Sequence, residues 1–298
     1  MKVSSRIVCF ALVLFTLPAL SRCSVFGGDD SDDNTTLLTA LAAAIALNSG
    51  YTLDSTTGCI TGVASSMASG LPSWIKNNFK CAVGTVSGSN YVFTSKNLPN
   101  TKSYYYGTSS ALYEALPSGN SSAGNNVIGS QNFTYTIPAT ATVNGGAKTS
   151  TQGGLASIGI TTNGLAVFNN AAAPGDTLAT EATTFDNFNG HPQSSSVYHH
   201  HVNPINITST AGDANLVGIA LDGYPIYGLL CDQATSSTLD DAAPGTGTPA
   251  LDVYHGHTAN TVLFPGGTYH YHFAFDATAT IKTLMGSSFN GNIGSVSN

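Results

Sequence analysis

From about residue 90 onward, short apolar runs are separated by Gly, Asn, Asp and Pro. Tyr91–Ser95 ("YVFTS") reads as a strand, and Asn132–Val143 ("NFTYTIPATATV") alternates, with Phe133, Tyr135 and Ile137 on one side. A period of two places such residues on one face of a strand. In "ASIGITTNGLAVF" (Ala156–Phe168), Asn163-Gly164 lies between two apolar runs. That pair tolerates the positive φ of a type I′ turn and predicts a hairpin. "VGIALDGYPIYG" (Val217–Gly228) repeats the arrangement around Asp222-Gly223, and "VLFPGGTYHYHFAF" (Val262–Phe275) does so around Pro265-Gly266-Gly267. The pattern predicts a mainly β fold, an antiparallel β-sandwich or barrel-like domain over residues 90–298.

Upstream the texture differs. Residues 1–22 read as an export signal: Lys2 and Arg6, then "IVCFALVLFTLPAL", too short to span a bilayer. "LSRC" (Leu20–Cys23) resembles a bacterial lipoprotein signal and makes Cys23 the candidate lipidation site, although Arg22 stands where a small residue is usual. Residues 23–36 form a Gly- and Asp-rich tether, and 37–89 a small N-terminal region. One or two short helices are expected there, at Leu37–Leu47 and around Ser73–Phe79.

Only 8% of the 298 residues are charged, so Ser, Thr, Asn and Gly must supply the polar surface. Loss of Lys2, Arg6 and Arg22 with the signal leaves six of nine basic residues against 16 acidic ones, a net charge of −10. This excess argues against nucleic acid and anionic membrane surfaces as partners and is compatible with cations. Among five cysteines, Cys59 and Cys81 suit a disulfide in an exported chain. Cys231 reads as a buried small hydrophobe or a soft metal ligand.

All eight histidines lie between His191 and His272. Three segments share the pattern Tyr-His-x-His: Tyr198–His201, Tyr254–His257 and Tyr269–His272. Residues i and i+2 of a strand point to one face, about 6.5–7 Å apart at Cα, so each pair offers two imidazoles to one ion. Imidazole-rich sites suit copper or zinc in an exported protein, with carboxylates orienting the rings; Asp222 and Asp252 are the candidates.

The ordered series "NGHP…YHHH…LVGIALDGYPIYG…LDVYHGHT…TYHYH" resembles the YHYH-domain family of exported proteins over about residues 90–275. The resemblance places His191, His199, His201, His257, His270 and His272 in the family's motifs. It leaves His255 outside them and puts His200 where a tyrosine is expected. It implies no particular chemistry. Together these features predict a protein of the bacterial cell envelope, anchored through Cys23, that binds copper or zinc through those six histidines. Two other classes compete: a metal-dependent or histidine-based hydrolase or oxidoreductase with Asp222 or Glu181 as base, and an adhesin or scaffold with structural histidines.

Overall fold

In a computed structural model of the chain, the described residues are 50–116, 126–152, 157–205, 207, 215–228, 250–275 and 281–298. The expected signal, tether, first helix, Cys23 and Cys231 lie outside them. The described residues form one compact unit.

The first sheet is built from β1 (Ser66–Met67), β2 (Ala82–Ser87), β3 (Asn90–Ser95) and β4 (Phe133–Pro138). The second contains β5 (Ser157–Thr161), β6 (Ala166–Phe168), β7 (His191–Pro192), β8 (Tyr198–His200), β9 (Leu216–Ala220), β10 (Pro225–Tyr227), β11 (Gly256–Ala259) and β12 (Thr268–Tyr271). A small ribbon, β13 (Ala274–Phe275) with β14 (Lys282–Thr283), follows, and β15 (Ser295–Ser297) returns to the first sheet. The fold is mainly β and sandwich-like. Phe93, Tyr135 and Ile137 of one sheet share a core with Ile160, Ile219 and Ile226 of the other. The strict burial alternation of β4 marks a strand with one face in the core, whereas every residue of β5 and β9 is buried. The two side-chain rows of β4 differ accordingly: Phe133, Tyr135 and Ile137 are buried, and the residues between them are only partly so.

Two features differ from the expectation. The sheets are mixed rather than antiparallel, because β1·β2, β6·β8 and β10·β12 pair in parallel. A boundary at residues 89–90 would also cut the β2–β3 hairpin, whose strands pair from Ala82↔Ser95 to Ser87↔Asn90. The Cys59–Cys81 disulfide closes a 22-residue separation, and the Cys81 carbonyl packs against Gly164 of the second sheet. By loop closure such a bond contributes about 3 kcal/mol. Residues 66–87, upstream of 90, thus contribute strands to the sandwich. Of the helices, one turn forms at Ser73–Lys76, and a second lies mid-chain at Leu178–Glu181.

The eight-stranded sheet runs β11-β12-β10-β9-β5-β6-β8-β7 and has an internal symmetry. At its centre β5 and β9 pair antiparallel. Outward from them, each half repeats the same steps: an antiparallel hairpin, a parallel crossover, then an antiparallel edge pair. The sequence repeats with the topology, since "IGITTNGLAVFN" (Ile158–Asn169) aligns without a gap on "VGIALDGYPIYG" (Val217–Gly228). The turns match too. Gly164 and Gly223 have φ of 80° and 87°, while Asn163 and Asp222 are not left-handed. Their amides bond to Thr161 and Ala220, three residues back. Each turn is therefore a three-residue loop with glycine at the left-handed position, not the type I′ turn that Asn-Gly suggested.

Candidate metal centres

Register, not sequence proximity, assembles the histidines. His199 and His201 share one face of β8 and its exit, and His191 on β7 is paired directly opposite His199. In the other half His270 and His272 share a face, and His257 on β11 stands opposite His270. A same-face pair plus a directly opposite residue brings three side chains within reach of one point. The result is two buried triads, His191–His199–His201 and His257–His270–His272, each with its ligand nitrogens within 4.8 Å of one another. They lie at opposite edges of the sheet, so the six imidazoles form two sites rather than one. His255 joins neither. It sits before β11 with φ 67° and turns its Nδ1 to the Thr283 carbonyl, so the third same-face pair does not form.

The proton positions follow from the partners. His199 Nδ1 faces the Val197 carbonyl at 3.0 Å, and His201 Nδ1 faces the Asn169 carbonyl at 2.7 Å. A carbonyl only accepts, so both Nδ1 atoms carry the hydrogen. The Thr184 hydroxyl donates its one proton to the Glu181 carbonyl at 2.7 Å. It must then accept from His191 Nδ1, also 2.7 Å away. All three Nε2 atoms of neutral rings therefore point bare lone pairs inward. His199 Nε2 stands 3.0 Å from both His191 Nε2 and His201 Nε2. In the second triad His270 and His272 donate from Nδ1 to the carbonyls of Thr268 (2.9 Å) and Gly228 (2.8 Å), and His257 Nε2 lies 3.1 Å from His270 Nε2. Two imidazoles holding one ion at about 2.0–2.1 Å stand about 2.9–3.4 Å apart, which matches these separations.

Burial keeps the rings neutral. Desolvation, reinforced by neighbouring imidazoles, pushes His191 and His270 down to about 3 and holds His199 and His272 well below the ordinary range. Burial also brings His201 and His200 to about 4. Phe168 stacks on His199 with centroids 3.9 Å apart, and Tyr227 packs edge-on against His270 at 5.0 Å.

The carboxylates named from the sequence do other work. Asp222 is buried in its turn, accepting from Tyr271 Oη and from the amides of Gly291 and Tyr224; burial pushes it up to about 6. Asp252 accepts from Tyr269 Oη at 2.9 Å and from the amides of Tyr254 and Gly256 at 2.8 and 3.1 Å. Backbone carbonyls take the ring-orienting role expected of these two at His199, His201, His270 and His272, and the Thr184 hydroxyl takes it at His191.

Asp252 instead shapes the loop that carries His257, and the first half repeats that clamp. Asp186 accepts from Tyr198 Oη at 2.9 Å and from the amides of Phe188 and Gly190. In both halves the tyrosine begins the tetrad and its ring lies over a glycine, Gly190 or Gly256, where a methyl would overlap the hydroxyl. Gly256→Ala should lower stability by about 1–3 kcal/mol by forcing Tyr269 off Asp252, measurable as a fall in the denaturant midpoint. His200 takes the place of Tyr271 in this alignment; its Nδ1 bonds to the Asn189 carbonyl at 2.9 Å.

One further group faces a triad. Glu181 ends the mid-chain helical turn with Oε1 3.8 Å from His191 Nε2 and Oε2 3.7 Å from His201 Nε2. Burial, with Asp176 nearby, raises it to about 7. Sequence reading offered it only as a base, because a single helical turn has no periodicity to align it with the histidines.

A protein-family model described as "YHYH protein" matches residues 134–245. It is the family that the sequence motifs resemble. The match takes in the first triad and the β9–β10 hairpin, and the second triad lies beyond it. No curated protein and no solved structure matches the chain.

Proposed function

We propose that this chain, with its YHYH-protein match, binds two transition-metal ions, one at each triad, and that each ion is copper or zinc. The observation that carries the reading is the convergence of three Nε2 lone pairs at His191, His199 and His201. Neutral nitrogens 3.0 Å apart with no proton between them repel one another. A cation at their centre turns that repulsion into coordination. Buried unsatisfied polar atoms need such an explanation, and Nε2 of His272 in the second triad is another buried nitrogen with no hydrogen-bond partner. Donor type narrows the ion: three imidazoles suit copper or zinc rather than magnesium or calcium, and three protein ligands leave a coordination position open.

The setting belongs to the same reading. The export signal and the lipoprotein-like Cys23 support a metal protein held at a bacterial envelope, and the acidic excess supports a cation rather than a nucleic acid as partner. Protein loaded with zinc or copper and freed of excess ion should retain two equivalents per chain by elemental analysis. Retention of less than one equivalent of either metal contradicts the proposal.

A further inference from the structure

We infer that Glu181 is the fourth ligand of the first site, making it a three-histidine, one-carboxylate centre selective for a divalent ion. The inference rests on the metal-binding reading above. Glu181 is brought to the triad by a segment that also fixes the histidines. Thr177 caps the helical turn by accepting from the Thr180 amide at 3.2 Å. Three residues past Glu181, Thr184 holds His191 Nδ1, and Phe185 packs against the rings of His191 and His201. The segment 177–185 thus covers the triad and aims one carboxylate into it.

That aim has no explanation within the protein alone. Oε2 of Glu181 is buried without a hydrogen-bond partner. At 3.7–3.8 Å its oxygens are too far from the imidazole nitrogens for hydrogen bonds, and those nitrogens present lone pairs, not protons. A carboxylate facing bare nitrogens is repelled. An ion between them satisfies all four groups at about 2.0–2.2 Å once the Glu181 side chain closes on it; the carboxylate oxygens stand within 4 Å of His191 and His201 but not of His199. Charge then sets selectivity. Three neutral imidazoles leave a divalent ion with its full charge in a buried site, whereas the carboxylate halves that charge. A monovalent ion gains less.

The test uses the full chain and its Glu181→Gln variant, titrated with zinc against a chromophoric chelator and, under reducing anaerobic conditions, with copper(I). The wild type should show two zinc-binding steps. In the variant one step should weaken by about tenfold or more, while the other step and both copper(I) steps stay within a few-fold. Two unchanged zinc steps overturn the inference and leave the metal-binding reading standing. A wild type that takes up no zinc defeats that reading instead. Cadmium NMR of the wild type gives a second measurement that does not depend on the variant's folding. At least one resonance shifted by oxygen ligation supports the assignment, and two resonances of nitrogen ligation alone overturn it.

Discussion

Replacing His199 and His201 together by alanine should leave the protein with one bound metal equivalent instead of two. The lost site should bind more weakly by about 1,000-fold or more, since two of its three imidazoles are gone and one nitrogen cannot hold a buried ion. The surviving site should be untouched, because its three histidines come from β11, β12 and the residue that follows β12, at the far edge of the sheet. His270→Ala with His272→Ala should give the mirror result. Stability should follow occupancy. At a free-metal concentration about 1,000 times the dissociation constant, each site adds about 4 kcal/mol to the folded state. The thermal midpoint of each double variant should therefore rise on metal addition by about half the wild-type increment. Loss of both equivalents from one double variant would mean that the triads form a single cooperative site. Retention of both would mean that the triads are not the ligands.

Metal-free protein should lose stability as pH falls from about 6.5. The sign follows from the six depressed imidazoles His191, His199, His200, His201, His270 and His272. Their unfolded forms take up protons near 6.5, while their folded forms resist down to about 4 and below, so the unfolded chain binds more protons throughout that window. Stability is full above the window and falls through it. Glu181 and Asp222 act in the opposite sense, since burial raises them to about 7 and about 6, and Asp186 is raised as well. Three carboxylates are outweighed by six histidines, and the net loss should reach several kcal/mol by about pH 5. Thermal melts of chelator-treated protein across pH 7.5 to 4.5 check this. A midpoint that is flat or rises on acidification would contradict the buried, neutral rings of those six histidines. Bound metal should shift the loss to lower pH, because protons must then compete with the ion.

The parts of this arrangement that were legible in the chain are those that depend on local period. His199 with His201 and His270 with His272 are same-face pairs in any strand, and the alternation of Phe133, Tyr135 and Ile137 marks the core face of β4. What brings His191 to His199 and His257 to His270 is cross-strand register, which no local pattern encodes. His255 misleads for a related reason: a period of two holds only inside a strand, and its left-handed backbone ends the pattern one residue too early. The hydrogen-bond partners of the rings come from Asn169 and Gly228, far from them in sequence. The gap-free repeat of Ile158–Asn169 in Val217–Gly228 was the readable signal for two sites, since a duplicated scaffold duplicates whatever it carries.

The antiparallel pairing of β5 with β9 also bears on how such a molecule changes over time. Two-fold association usually requires two chains to meet, and its strength then varies with how much protein is present. Here both partners are covalently joined, so the pseudo-dyad persists at any dilution. A tethered twin also frees each lobe from the demand that its counterpart tolerate the same substitution. Histidine at position 200, where its counterpart has Tyr271, is a point at which the two lobes differ on a common frame.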